Sequence, residues 1–225
     1  MRYLAMAFDY DATLADNGSV DLQVIAALER LAASKRLLII NSGRMLHDLK
    51  NVFPQVALFD AIVAENGATL YSKKTEREVL LTKPASRQLV DDLLTAGVAP
   101  IVIGRSIIAT TSNHALQMQE SITKRKLDYA IIMNKGSAMA LPVGIDKGSG
   151  LVAAARELGI DVASIISMGD AENDLSLFSV SGLGIAVANA VPELKDIAGL
   201  VTKEARGGGV IEAINLLLDG ELELT

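Results

Sequence analysis

The chain contains no cysteine. Disulfides, thiolate nucleophiles and cysteine-ligated zinc are excluded together. Tryptophan is also absent, and aromatic residues make up only 4% of the 225 residues. A core must therefore be assembled from Ala, Val, Ile and Leu, as in layered α/β proteins; a hydrophobic content of 50% supplies enough of them and argues against disorder. Positive charge is in deficit, with 21 Lys and Arg against 27 Asp and Glu and a net charge of −6. No basic cluster interleaved with aromatics offsets this, which disfavours nucleic acid or an anionic membrane as the main partner. Long apolar runs are missing too. The run ahead of Asp9, Tyr3 to Phe8, is too short for a signal-peptide core or a bilayer span. No Pro- or Ser-rich linker and no low-complexity tract interrupts the chain. The expectation is a soluble cytoplasmic protein, with a homodimer left open.

What is present is a rhythm of buried strands ending on polar residues. Tyr3 to Phe8 runs into Asp9-Tyr10-Asp11-Ala12-Thr13-Leu14. After turn formers at Ala15 to Ser19, Leu22 to Ala32 has helical spacing, with Ser19 or Asp21 as its cap. Arg36 to Ile40 predicts a second strand ending in Asn41-Ser42-Gly43-Arg44, followed by a helix that stops before Pro54. Ala61 to Ala64 predicts a third strand, running into Glu65-Asn66-Gly67. Short links between alternating strands and helices imply a parallel sheet with right-handed crossovers.

The rhythm then changes. A helix is expected over Pro84–Ala96 with proline in its first turn, then a hairpin about Gly104-Arg105, a helix over His114–Lys126, and a hairpin about Asn134-Lys135-Gly136. This αββαββ block reads as an insert over 82–144, between core segments 1–81 and 145–225. The alternation resumes with a helix opened by Lys147-Gly148-Ser149-Gly150, a strand Ile165 to Met168 ending in Gly169-Asp170-Ala171-Glu172-Asn173-Asp174, further strands at Leu183 to Val187 and Leu200 to Val201, and a helix over Val210–Leu218. Gly207-Gly208-Gly209 reads as a flexible turn.

Parallel strands bring Asp9 and Asp11, Ser42 and Arg44, Glu65 and Asn66, and Asp170, Asn173 and Asp174 to one sheet edge, and Lys147 can approach it from a helix N-terminus. Carboxylates gathered there repel unless a hard cation sits among them, and an oxygen-only set without His or Cys suits Mg²⁺. A lysine, a hydroxyl and helix N-terminal amides suit a phosphate. Acid, metal and phosphate together indicate phosphoryl transfer. Asp9 and Asp11 alone would read equally well as a turn after a strand. Ser42 could simply cap the next helix, whereas a lysine opposing a helix dipole favours a specific use for Lys147.

DYDATL, the hydroxyl of NSGR, the lysine of DKGSGL and GDAEND, in that order, resemble the four motifs of the haloacid dehalogenase-like hydrolase superfamily. The resemblance covers nearly all of the chain outside the insert. An αββαββ insert between the second and third motifs resembles the type B branch of C2 caps, which holds phosphoglycolate and sugar-phosphate phosphatases. It implies a Rossmann-like three-layer α/β core with a parallel sheet, and a small α+β cap. It also implies Asp9 as nucleophile and Asp11 as general acid and base. Thr13, Ser42, Gly43, Arg44, Asn66, Lys147 and Asn173 fall to phosphate or substrate. Asp9, the Asp11 backbone carbonyl, Asp170 and Asp174 fall to Mg²⁺. The implied activity is hydrolysis of a small phosphorylated metabolite, phosphoglycolate first because the cap is short. A sugar-phosphate phosphatase of the sucrose-phosphate or mannosyl-phosphoglycerate type, and a regulator that binds phosphate or Mg²⁺ without turnover, are the alternatives.

One residue departs from the pattern. The family usually has Gly where this chain has Ala12, a substitution that costs roughly 1 kcal/mol if φ there is positive. Arg105, at a hairpin tip, either reaches a substrate carboxylate or second phosphate or is idle on the surface. Glu65-Asn66-Gly67 is a plain turn or, following the resemblance, lies near cap hinge and substrate. His47 and His114 lack paired ligands and receive no role.

Overall fold

In the computed structural model, which describes residues 2–134 and 136–223, the apolar N-terminal run forms strand β1 (Ala5–Phe8). Side chains alternate along it: Met6 and Phe8 enter one core, and Ala5 and Ala7 enter another on the opposite sheet face. The chain continues through α1 (Leu22–Ala33), β2 (Leu37–Asn41), α2 (Leu46–Val52), β3 (Ala61–Ala64), β4 (Thr69–Ser72) and β5 (Arg77–Leu80). Then come α3 (Arg87–Thr95), β6 (Val102–Ile103), β7 (Ile108–Thr111), α4 (Ala115–Arg125), β8 (Tyr129–Asn134) and β9 (Ser137–Pro142). The last part holds α5 (Lys147–Leu158), β10 (Ile165–Gly169), α6 (Leu175–Val180), β11 (Leu183–Ala186), α7 (Pro192–Ile197), β12 (Leu200–Val201) and α8 (Arg206–Leu218).

The large sheet has the order β12-β11-β10-β1-β2-β3-β4-β5, parallel from β12 to β3 and antiparallel thereafter. Leu28 and Leu31 of α1, Leu46 and Leu49 of α2, and Val210 and Ile214 of α8 pack on its Met6/Phe8 face. Leu151 and Ala154 of α5, Leu177 and Phe178 of α6, and Leu194 of α7 pack on the Ala5/Ala7 face. Each fully buried aliphatic side chain contributes about 1.5–3 kcal/mol, so this three-layer α/β sandwich needs no disulfide. β1 lies at the centre, which places whatever follows it at the middle of the sheet edge.

A second, antiparallel sheet has the order β6-β7-β9-β8. Leu89 and Leu93 of α3 and Met118 and Ile122 of α4 cover one face against Ile108 and Ala140. On its other face, Ile107, Met139 and Leu141 pack with Ala68, between β3 and β4. That small cluster seats the αββαββ unit on the core.

The structure corrects several expectations. α3 begins at Arg87 with Ser86 as its cap, whose hydroxyl accepts from Leu89 N at 3.3 Å, so Pro84 precedes the helix instead of lying in its first turn. Strands β4 and β5 are not announced by the sequence, because a half-exposed hairpin lacks the continuous apolar run of the central strands. Gly207 to Gly209 form the first turn of α8 and not a flexible turn. A Cβ at Gly207 would sit 2.5 Å from Val24 Cγ2, and one at Gly209 would sit 2.4 Å from Thr202 Oγ1. The glycines are there for close packing. Of the two caps expected for α1, Asp21 serves, its carboxylate accepting from Gln23 N at 2.8 Å.

Candidate active site

Asp9 stands directly after β1 and is 5% exposed. Asp170 follows β10, and Asp174 closes the next turn by accepting the backbone N–H of Asp170 at 2.9 Å and of Ala171 at 3.0 Å through Oδ2. A Cβ at Gly169 would lie 2.5 Å from the Asp174 carboxylate, so the strand must end on glycine for this turn to fold. Carboxylate oxygens of Asp9, Asp170 and Asp174 all lie within 4.8 Å of one another, and all three residues are buried.

Lys147 enters this acid cluster at the start of α5. Asp146 caps the helix by accepting from Ser149 N at 2.7 Å, and Ser149 Oγ in turn accepts from Asp146 N at 3.0 Å. Asn41, at the end of β2, donates to the Lys147 carbonyl at 2.8 Å. So fixed, Lys147 Nζ donates to Asp9 Oδ1 and to Asp174 Oδ1, both at 2.6 Å. Burial pulls the ammonium pKa down, but the charges of Asp174 and Asp9 and their hydrogen bonds more than reverse this and hold it above the ordinary value. The Asp9 carboxyl is pushed up to about 8, chiefly by burial, with repulsion from Asp174 and Asp170 adding to it and Lys147 opposing it. One lysine thus pairs with two of the three buried carboxylates, Asp9 and Asp174.

Neighbouring loops hold Asp170 in place. Thr13 Oγ1 donates to Asp170 Oδ1 at 3.1 Å. Asn189 Nδ2 donates to the Ala12 carbonyl at 2.9 Å and reaches Asp170 Oδ2 at 3.4 Å. Asn41 and Asn189 are site residues that the sequence reading did not single out. The signal was available for both, since Asn41 ends the buried strand β2 and Asn189 lies in the loop that follows β11, on the same sheet edge.

Asp11 sits at the mouth. Both its oxygens are held by Arg44, through Nε and Nη2, at 2.7 Å each. The pair is open to water, with the side chains 50% and 31% exposed, and the guanidinium lies 5.3 Å from the centre of the Tyr10 ring. The Asp11 side chain therefore stands apart from the triad of Asp9, Asp170 and Asp174. Ser42 is buried and its hydroxyl accepts from Arg44 N at 3.1 Å; the cap of α2 is Met45, so Ser42 does not cap that helix. Asn66 and Asn173 join across the site by a bond from Asn173 Nδ2 to Asn66 Oδ1 at 2.9 Å, and Asn66 Nδ2 contacts Met139 Sδ at 3.2 Å. Gly43 lies against the Asn66 amide. Ala12 has φ = +61°, and Glu172 is exposed. Arg105 pairs with Glu78 of β5 at 3.2 Å.

These groups surround a cavity of about 160 Å³ whose lining includes Asp9, Asp11, Arg44, Asp170 and Asn173 from the core, and Asn134, Ser137 and Met139 from the second sheet. Asn134 Oδ1 and Asn173 Oδ1 have no partner among the described residues. A larger hollow of about 440 Å³ lies between the loop before α1 and the start of α8, and it contains none of the clustered carboxylates.

The family model for haloacid dehalogenase-like hydrolases matches residues 6–99 and 95–214. The chain belongs to this family. Among relatives of the haloacid dehalogenase-like hydrolase, Phosphoglycolate phosphatase 2 of Saccharolobus solfataricus is 32% identical, with 96% of this chain and 93% of that one covered. A phosphoglycolate phosphatase of Methanothermobacter thermautotrophicus is 29% identical, over 93% and 96%. A solved protein of Thermoplasma acidophilum superposes with a TM-score of 0.81 at 15% identity, covering 95% of this chain and 97% of its own. A subclass IIB sugar phosphatase of the superfamily superposes with 0.79 at 19% identity over 95% and 98%. At those identities the structures establish the fold. Among the described residues of this hydrolase, no helix is long and apolar enough to cross a membrane.

The donor set fits a hard divalent cation. It offers carboxylate oxygens alone, clustered and buried, with their charge only partly offset by Lys147.

Proposed function

We propose that this hydrolase is a Mg²⁺-dependent phosphatase acting on a small phosphate monoester through an aspartyl-phosphate, with phosphoglycolate as the substrate. The observation that carries the reading is Asp9 at the end of the central strand, hydrogen-bonded to a buried lysine and sharing a carboxylate cluster with Asp170 and Asp174. The curated relatives named for phosphoglycolate support the substrate, and a cavity of about 160 Å³ favours a compact one.

In this reading Asp9 attacks phosphorus as the bond to the leaving oxygen breaks, and Asp11 gives that oxygen a proton. Water then attacks the acyl phosphate, Asp11 takes its proton, and Asp9 is regenerated. Asp9, Asp170 and the Asp11 carbonyl would hold Mg²⁺, with Asp174 and Asn173 ordering the shell; the ion would offset charge on the phosphoryl group. Lys147 and Ser42 would bind phosphoryl oxygens, and Thr13 steadies Asp170. Arg44, beside Gly43, and Asn66 would meet the remainder of the substrate. Residues 82–144 serve as the cap and 1–81 with 145–225 as the core; the separate four-stranded sheet supports that division. The cysteine-free composition suits a reducing cytoplasm.

A regulator without turnover is less favoured. Ala12 adopts a left-handed conformation, φ = +61°, so the loop tolerates the substitution at a cost of roughly 1 kcal/mol. Phosphate release from phosphoglycolate, a hexose phosphate and an aryl phosphate, with and without Mg²⁺, tests the reading. Mg²⁺-dependent hydrolysis favouring phosphoglycolate supports it. Binding of phosphate without hydrolysis of any ester refutes it.

A further inference from the structure

Glu65 is 1% exposed, yet its carboxylate belongs to neither the acid cluster nor an ion pair among its hydrogen-bonded partners. Those partners are three consecutive backbone N–H groups of the turn between β6 and β7: Arg105 N on Oε1 at 2.9 Å, and Ser106 N and Ile107 N on Oε2 at 2.9 and 3.1 Å. The turn closes on the carboxylate so tightly that a Cβ at Gly104 would lie 2.5 Å from Oε2. A buried carboxylate is costly, and it is retained here by donors that all come from the cap.

The backbone of the same residue reaches the site. Glu65 N donates to the Arg44 carbonyl at 2.9 Å and Asn66 N to the Ser42 carbonyl at 3.0 Å. Glu65, Asn66 and Gly67 have φ of +51°, +50° and +102°, a left-handed turn that turns the Glu65 side chain toward the cap while its amide stays on the catalytic loop. Asn66 then contacts Met139 of the cap and Asn173 of the cavity wall.

We propose that Glu65 is a positioning residue that latches the cap over the cavity, setting how closely Asn134, Ser137 and Met139 approach Asp9 and thereby selecting small substrates. This rests on the phosphatase reading and adds to it the means by which the same site is kept narrow. Substituting Gln keeps the size but places an NH₂ group against backbone donors. Two N–H groups share Oε2 and one takes Oε1, so either orientation of the amide breaks at least one bond.

The test compares the wild-type full chain with Glu65→Gln and Glu65→Ala, and with Glu78→Gln as a control that cuts only the exposed pair to Arg105. Amide hydrogen exchange over residues 104–108 reads the latch directly, and kinetics with phosphoglycolate and 4-nitrophenyl phosphate in Mg²⁺ read its consequence. In both Glu65 variants, exchange at 105–107 should rise about tenfold or more, and KM for phosphoglycolate should rise about tenfold. The bulkier aryl phosphate should be hydrolysed as fast as before or faster. The control should match wild type in all three. Unchanged exchange would overturn the latch, and so would a parallel loss toward both esters, which is what general destabilisation produces. If the wild type hydrolyses no ester, the phosphatase reading fails, while exchange still decides whether Glu65 holds the cap.

Discussion

Burial governs the behaviour of Asp9. Its carboxyl titrates near 3.8 when the chain is unfolded and at about 8 in the folded, metal-free protein. Between those values the folded state holds the extra proton. Its contribution to stability is therefore complete below pH 3.8 and is lost as pH rises through about 8. Thermal unfolding of metal-free wild type against Asp9→Asn should show this, the wild type losing ground to the variant as pH is raised from 5 to 8. On the proposed reading Mg²⁺ would compete with that proton, so the rise in Tm on adding Mg²⁺ should grow over the same range. A shift independent of pH would mean that the ion binds elsewhere. In activity assays, Asp9→Asn should reduce kcat by about a thousandfold or more while the fold persists. Ala12 presents the opposite case, a residue whose backbone and not its charge is under strain at φ = +61°. Ala12→Gly should raise stability by up to about 1 kcal/mol, a Tm increase of about 2–4 °C, measured by calorimetry. Arg44→Ala removes a pair that is largely open to solvent, so unfolding free energy should change by less than about 1 kcal/mol. The KM for an anionic substrate should nonetheless rise roughly tenfold, and an unchanged KM would remove Arg44 from the substrate site.

The strand-to-loop junctions concentrate the chemistry because parallel strands end on one side. β1, β2, β3 and β10 were legible as apolar runs of strand length, and so were the polar residues that follow them. The turn after β10 shows why loop identity is strict. With Gly169→Ala, a methyl would meet the Asp174 carboxylate, which both closes the turn and receives Lys147. The expected cost is about 1–3 kcal/mol, together with weaker Mg²⁺ binding, read by calorimetric titration. Native-like Mg²⁺ affinity in that variant would show that Asp174 can move without disturbing the cluster. Features set by neighbours were not legible. The hairpin of β4 and β5 extends the sheet by pairing with β3, and its own pattern is weak. The triple glycine of α8 looks like a turn until Val24 and Thr202 are seen pressed against it.

The molecule as a whole brings two sheets together over one small cavity. That closure makes Asn134, Ser137 and Met139 neighbours of Asp9, although they are separated from it by more than a hundred residues of sequence. Local order fixed the strand ends, the start of α1 at Ser19 or Asp21, and the ordered motifs from which the family and the acid cluster could be read, because hydrophobic period and turn chemistry act over a few residues. The division of labour among the carboxylates emerged with folding. Asp9 and Asp174 share Lys147, Asp170 takes Thr13, Asp11 is held at the mouth by Arg44, and Glu65 is turned away to accept from the turn between β6 and β7. All five are acids beside apolar strands in the linear chain. Desolvation and hydrogen-bond partners distinguish them, and both are properties of packed space.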